Sequence, residues 1–320
     1  MTEHDLTFRA MGCELRLLVG GSSGRAVADA RAWVEDFDAR LSRFRPDSEL
    51  SALNRDPREV VPASGLLRAA VAAARWAAER TGGLVDPTLV AELESLGYGA
   101  SLAGAPRAPL RDAIAAGGRR APARPRRPRA WEAIEVDDEA GVIRRPPGLR
   151  IDTGGTGKGL AADAVAVRLA GCERACVDMA GDLRIIGPDA ERRPYEVAVE
   201  HPLTGACCHT FRVGSGGVAT SGVGSRIWRT AGGGFAHHLL DPATGRPAWT
   251  GVLMATAIAP SALEAETLAK LAVLRGPDAA RELLAPAGGL LVTDDGEVHV
   301  LPQPVAGRLL LRRPTAAVAA

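Results

Sequence analysis

Apolar and polar positions recur along the chain with two different periods, and these periods predict most of its elements. In residues 25–42 apolar side chains return every three or four positions, which is typical of an amphipathic helix with one buried stripe. Residues 65–80 repeat this pattern and are followed by Gly82 and Gly83, a common helix stop. The helices predicted in this way are 25–42, 65–80, 160–169, 261–275 and 277–285.

Alternating or short apolar stretches predict the strands. Residues 6–19 alternate and predict one first strand, which a turn over residues 20–24 ends. Residues 289–301 predict a final hairpin. The other predicted strands are 132–136, 141–144, 174–178, 183–187, 195–200, 208–213 and 252–259. Strands and helices mixed in this order predict an α+β fold, with mixed or antiparallel sheets and packed helices.

Residues 101–130 follow neither period. They are rich in Arg, Pro and Ala, which predicts a long surface loop or a partly disordered insertion. A basic run of this kind could bind nucleic acid. However, no aromatic residue interleaves with it before Trp131, and the rest of the chain compensates its charge. We therefore expect no nucleic-acid partner.

Composition narrows the class of protein further. The 320 residues include 39 Lys and Arg against 38 Asp and Glu, so no broad basic character points to a polyanionic partner such as nucleic acid or an anionic membrane. No stretch approaches the roughly 20 apolar residues of a membrane helix, and no signal peptide is evident, so we expect a cytoplasmic protein. The five cysteines lack zinc-site spacing. Only two basic residues are lysines, Lys158 and Lys270.

The stretch with the clearest chemistry is residues 152–159, DTGGTGKG, which we call the glycine turn. Glycines allow backbone amides to approach a ligand, the helix that follows favours an anion at its start, and Lys158 adds a cation. A phosphate or diphosphate ligand fits this pattern, although its spacing is not that of a Walker A motif. A glycine-rich connection with a surface lysine fits it equally well.

Other polar segments carry weaker signals. His238 precedes an Asp-Pro-x-Thr-Gly turn and could be a packed or exposed histidine beside a structural turn. The polar turns in residues 42–54 and 83–88 each follow a helix and could serve only as caps.

Taken in order, however, these segments resemble one family, the ApbE-type FAD:protein FMN transferases. The resemblance covers nearly the whole chain apart from the basic segment. Its motifs are Met11-Gly12, residues 42–54, residues 83–88, residues 152–163, Ala180-Gly181-Asp182, Thr220-Ser221-Gly222, residues 238–245 and residues 265–276.

The resemblance implies a T-fold-related architecture of two subdomains within a single domain over residues 1–320. It also implies that FAD is cleaved at its diphosphate and that FMN is joined to a Thr or Ser hydroxyl in the flavinylation motif of an acceptor flavoprotein, with release of AMP. Two alternatives stay open: a non-catalytic or metal-independent FAD-binding protein, and an FAD diphosphatase.

Site residues follow from the same resemblance. His238 would lie beside the diphosphate, as a charge stabiliser or proton carrier. Asp86 and Asp152 would accept hydrogen bonds from ring or ribose donors. The residues implied to contact FAD are Met11, Phe44, Leu84, Val85, Asp86, Asp152, Lys158, Thr220, Leu239 and Leu240.

The implied magnesium site contains a departure from the family. Family members bind the metal through a backbone carbonyl, here Gly155, and through an Asp and a Thr one helical turn apart. Here Glu266 and Lys270 stand at those two positions, and Lys270 cannot bind a metal. Spacing of four residues lets them form an ion pair. We expect Glu266 and Lys270 to act in catalysis, and Lys270 to occupy or neighbour the magnesium position; Thr267 is a weaker substitute ligand.

Overall fold

The structure, a computed structural model that describes residues 3–303, is built around antiparallel strands. The strands are β1 Glu3–Ala10, β2 Cys13–Gly20, β3 Val60–Pro62, β4 Glu135–Asp137, β5 Val142–Arg144, β6 Arg174–Asp178, β7 Asp182–Ile186, β8 Tyr195–Glu200, β9 Cys207–Val213, β10 Gly216–Gly222, β11 Ile227–Arg229, β12 Phe235–His237, β13 Leu240–Asp241, β14 Arg246–Pro247, β15 Val252–Ala259, β16 Gly289–Thr293 and β17 Val298–Leu301.

Eight strands form the main sheet, in the order β1, β2, β6, β7, β10, β15, β16, β17, and each neighbouring pair is antiparallel. The remaining strands form one sheet in the order β3, β5, β4 and three pairs, β8 with β9, β11 with β12 and β13 with β14. Together with the helices, this arrangement confirms the predicted α+β class.

The helices are α1 Gly24–Leu41, α2 Glu49–Arg55, α3 Gly65–Arg80, α4 Val90–Ser95, α5 Leu110–Ala116, α6 Gly157–Arg168, α7 Ala262–Arg275 and α8 Pro277–Leu284. The long periodic helices therefore lie where the sequence predicts them. Among residues 3–303, none of these helices combines the length and apolar character needed to cross a bilayer. The expected domain limits at residues 1 and 320 lie outside the described residues.

The prediction of one strand over residues 6–19 is wrong, because the chain reverses inside this range. Met11 and Gly12 both have positive φ, 54° and 70°, and they connect β1 to β2 as a tight hairpin. A residue with a Cβ rarely adopts this backbone region, so the Met-Gly turn gives only a weak sequence signal. The alternation continues on both sides of the turn, which concealed the break.

The basic segment, residues 101–130, is also more ordered than the sequence predicts. It contains α5, in which Ala113 is fully buried. The backbone amides of Ala121 and Ala123 donate to the carbonyls of Trp249 and Leu274. Small alanine side chains can be buried without producing a strong apolar period. The hydropathy pattern of residues 101–130 therefore does not reveal that this segment packs against the rest of the chain.

Helix α7 brings the later motifs against the glycine turn. It packs on β10, β15 and α6, and Asp163 in α6 accepts hydrogen bonds from the amides of Ala262 and Leu263 at 2.9 and 3.0 Å. A Cβ on Gly159 would lie 2.7 Å from the Ala262 carbonyl oxygen. Only glycine permits this close approach between the two helix starts.

Candidate functional site

A cleft with a volume of about 850 Å³ gathers the residues that the sequence singled out. It is lined by the β1–β2 hairpin turn, the glycine turn, and parts of β10 and α7. Their individual roles stay predictions, but the structure brings all of them to one place. The predicted residues that line it are Met11, Phe44, Leu84, Val85, Asp86, Asp152, Gly155, Lys158, Thr220, His238, Leu239, Leu240, Glu266 and Lys270.

The glycine turn is held by contacts from distant motifs. The Asn54 side chain bonds both the amide and the carbonyl of Ile151, each at 2.8 Å. The Asp152 amide donates to the Pro87 carbonyl, and one carboxylate oxygen of Asp152 accepts from the Gly154 amide at 2.8 Å. These bonds explain why segments separated along the chain act as one structural unit.

Lys158 does not project freely into the cleft. Its ammonium forms an ion pair with Asp182, the first residue of β7, whose side chain is fully buried. Burial by itself lowers the pKa of Lys158, but the carboxylates of Asp182 and Glu266 outweigh that effect and raise the pKa above its usual value. The second Asp182 oxygen is buried and has no hydrogen-bond partner among the described residues.

Glu266 and Lys270 form the ion pair that their spacing predicts. Lys270 Nζ lies 2.7 Å from Glu266 Oε1, and Glu266 Oε2 accepts a hydrogen bond from the Gly159 amide at 2.8 Å. Glu266 is fully buried and Lys270 is 7% exposed. Burial raises the pKa of Glu266, and the ammonium of Lys270 only partly offsets this.

These residues do not fit a magnesium ion. Both oxygens of Glu266 are already hydrogen-bonded, and the two buried carboxylates of the cluster are matched by two ammonium groups. Hard divalent cations need an excess of oxygen ligands and negative charge. Thr267 is no substitute, because it does not line the cleft; its hydroxyl donates to the Leu263 carbonyl at 2.8 Å.

Arg43 is a cleft residue that the sequence analysis missed. Its side chain forms an ion pair with Asp152 at 2.9 Å and stacks over the rings of Phe44 and Tyr98, 4.1 and 4.6 Å from their centroids. Tyr98 in turn packs against Trp228. Arg43 lies within the motif of residues 42–54, next to the predicted Phe44. Its place in that motif is the sequence signal that could have identified it as a cleft residue.

Asp86 and Thr220 line other parts of the cleft. One Asp86 oxygen accepts from the amide and hydroxyl of Thr88, at 2.8 and 2.6 Å, whereas the other is buried without a partner among the described residues. Burial raises the pKa of this carboxyl. The Thr220 hydroxyl bonds the Thr256 hydroxyl at 2.8 Å, so it is engaged within the sheet.

Two consecutive histidines stand at the end of β12: His237 is its last residue, and His238 follows it. His238 lines the cleft, and its Nδ1 lies 3.4 Å from the Arg226 carbonyl oxygen. Burial lowers the pKa of His238 well below its usual value, and the cationic neighbours Lys270 and Arg226 act in the same direction. A carbonyl only accepts, so Nδ1 carries the proton and Nε2 keeps a free lone pair. His237 is fully buried against Trp249.

Known proteins resemble this chain over most of its length. The chain is 24% identical to the FAD:protein FMN transferase of Haemophilus influenzae over 83% of its length and 77% of that protein. It is 28% identical to the one of Salmonella typhimurium, over 88% and 81% of the two chains.

Solved structures show the same fold. The ApbE protein of Thermotoga maritima superposes with a TM-score of 0.76 at 27% identity, over 93% of this chain and 97% of that one. The apo flavinyl transferase ApbE of Pseudomonas stutzeri gives a TM-score of 0.71 at 23% identity, over 93% of both chains. A model of the ApbE family matches residues 11–292, and the chain therefore belongs to the ApbE family.

Proposed function

We propose that this protein takes FMN from FAD and transfers it to a Thr or Ser hydroxyl of an acceptor flavoprotein, releasing AMP. The observation that carries this proposal is the convergence of the separate motifs on one cleft. Its volume lies within the range of about 300 to 1,000 Å³ that is usual for small-molecule sites. Met11, Leu84 and Leu239 offer apolar surface for the flavin ring, and Asp86 keeps one carboxylate oxygen available for a ring or ribose donor.

The transfer is a displacement at the phosphorus on the FMN side of the diphosphate. A bond forms between that phosphorus and the acceptor oxygen, the bond to the bridging oxygen breaks, and AMP leaves with the bridging oxygen. The acceptor hydroxyl must lose its proton. The unprotonated Nε2 of His238 is suited to receive it, and a negatively charged diphosphate nearby would strengthen this base.

The Glu266–Lys270 pair supports a weak requirement for magnesium. A site whose buried carboxylates already hold two ammonium groups attracts a divalent cation poorly. The same closed pair favours a second candidate function, FAD binding without transfer, because an ammonium group at the implied metal position keeps a metal ion from completing the chemistry.

One incubation distinguishes the candidates. The protein is mixed with FAD and an acceptor domain that carries a flavinylation motif, and the products are analysed by mass spectrometry and chromatography. An acceptor carrying FMN, with an equal amount of AMP, supports the proposal. Bound but unchanged FAD, or free FMN and AMP with an unmodified acceptor, overturns it in favour of the binding protein or the diphosphatase. His238→Gln is the matched variant, expected to bind FAD but transfer about 100-fold more slowly.

Magnesium is tested separately. Transfer is compared in excess chelator and in millimolar magnesium, for the wild type and for Lys270→Thr, which restores the residue type that the family resemblance implies. We expect little stimulation of the wild type and a clear stimulation of the variant. Strong magnesium dependence of the wild type would contradict the role given to Lys270.

A further inference from the structure

The positive charges of the cleft are not equally available to a ligand. Four cationic side chains that line it already contact carboxylates: Lys158 pairs with Asp182, Lys270 with Glu266, Arg43 with Asp152, and Arg45 with Asp47. A phosphate that approaches any of them meets a charge that its partner has largely cancelled. Anion binding requires a cation with less local compensation.

Arg226 differs from these residues. It lies between β10 and β11, lines the cleft and is half-buried. Among residues 3–303, no Asp or Glu oxygen lies within ion-pair distance of its guanidinium, whose one side-chain hydrogen bond goes to Cys13 Sγ at 3.6 Å. A guanidinium has five N–H donors, and a thiol sulfur is a weak acceptor. Most of its N–H donors therefore have no hydrogen-bond partner among the described residues, although the side chain lines a cleft.

The position of Arg226 connects two parts of the candidate site. Cys13 begins β2, directly after the hairpin turn, and the Met11 side chain of that turn packs within 3.6 Å of the place where a Cβ on Gly157 would stand. On the other side, the Arg226 carbonyl accepts from the His238 amide at 3.3 Å. Its backbone is thus bound to the candidate proton acceptor, and its side chain reaches the hairpin that packs on the glycine turn.

One other cleft arginine has no carboxylate partner in the described part of the chain. This is Arg107, which is exposed at the edge of the cleft. Water and salt screen a charge in that position, whereas they screen a half-buried guanidinium much less.

We infer that Arg226 is the principal anion anchor of the cleft and that it binds the diphosphate of FAD. This inference rests on the proposed function for the identity of the ligand. It changes the assignment suggested by the glycine turn: Lys158 becomes mainly a structural cation, paired with Asp182, and Arg226 becomes the residue that discriminates a phosphorylated flavin from an uncharged one.

The test compares two ligands rather than one. Dissociation constants of FAD and riboflavin are measured by flavin fluorescence for the wild type, Arg226→Gln and Arg226→Lys. Riboflavin lacks phosphate, so its binding reports the flavin pocket and the folding of each variant. Arg229→Gln is the matched control, because Arg229 is exposed, does not line the cleft and pairs only at 3.8 Å with Asp112.

We expect Arg226→Gln to weaken FAD binding by about tenfold or more, the loss typical of charge-assisted hydrogen bonds, while riboflavin binding changes less than about twofold. Arg226→Lys should recover part of the FAD affinity, since it keeps the charge but not the planar donor set. Arg229→Gln should behave as the wild type.

Equal losses for FAD and riboflavin, or an unchanged FAD affinity, would overturn the inference. Failure of the proposed function has a different signature, namely a wild type that binds FAD with the expected selectivity but transfers no FMN. A wild type that binds neither flavin overturns both.

Discussion

Two regions of the cleft treat charge in opposite ways. Around the glycine turn and α7, each lysine has a buried carboxylate partner, and the two pairs form a compact neutral cluster. Around β11 and β12, Arg226 has no carboxylate partner among residues 3–303, and the two neighbouring histidines have lowered pKa values. The charged side chains of the first region pair with each other. In the second region Arg226 pairs with no carboxylate of residues 3–303, and we infer that it binds a ligand anion.

The difference has a physical basis. A buried ion pair gains little over an apolar pair, yet the loss of one partner leaves a charge without compensation in a poorly hydrated site. Mutations in the first region should therefore act mainly on stability. Mutations in the second region should act mainly on binding and on the response to pH.

The largest effect is expected for Lys270→Met. This variant leaves the fully buried Glu266 carboxylate without its cation, and we expect the free energy of unfolding to fall by about 3 to 5 kcal/mol. Urea denaturation measures the loss. The double variant Glu266→Gln, Lys270→Met removes both charges, keeps an acceptor for the Gly159 amide and should regain more than half of the stability. A double variant as unstable as the single one would contradict the comparison.

The second-largest effect is the pH dependence of folding stability that His237 produces in the region of β11 and β12. Burial lowers the pKa of His237 to about 3 from 6.5, so between these values the unfolded chain binds a proton that the folded protein excludes. Stability is therefore highest above pH 6.5 and falls as the pH decreases, by about 1.4 kcal/mol per pH unit for this one group.

The matched variant for this prediction is His237→Gln, which carries no titratable group at that position. Unfolding free energies of both proteins are measured at several values between pH 5 and pH 7. The wild type should lose stability more steeply than the variant as the pH falls. Parallel curves would show that His237 can be protonated in the folded protein, and this region would then hold an additional cation.

The smallest effect extends the comparison to the basic segment. Arg126 pairs with Glu92, whose second carboxylate oxygen is buried without a partner in the described residues, whereas neighbouring Arg127 is exposed and pairs with no described carboxylate. We expect Arg126→Gln to cost about 1 to 2 kcal/mol and Arg127→Gln less than about 0.5 kcal/mol in thermal or urea unfolding. Similar losses of unfolding free energy for the two variants would contradict this prediction, because they would show that the ion pair with Glu92 does not set the contribution of Arg126 to stability.

Sequence patterns predicted the long elements well because their burial follows a simple period. The helices over residues 65–80 and 261–275 agree with Gly65–Arg80 and Ala262–Arg275. The central strand β10 was not predicted, since its sequence GGVATSG contains small residues and little hydrophobic contrast. Its burial comes from β7, β15 and α7 packed around it, not from its own side chains.

The same division holds within the site. The sequence by itself determined that Glu266 and Lys270 face each other, because four residues in a helix make one turn and the contact is local. It also determined which motifs would supply the cleft. Only the tertiary structure decided that Lys158 is paired with Asp182, that Asp152 is paired with Arg43, and that Arg226 pairs with no carboxylate in the described residues. These facts depend on elements distant in the chain, whose side chains acquire partners only when the sheet and helices pack together.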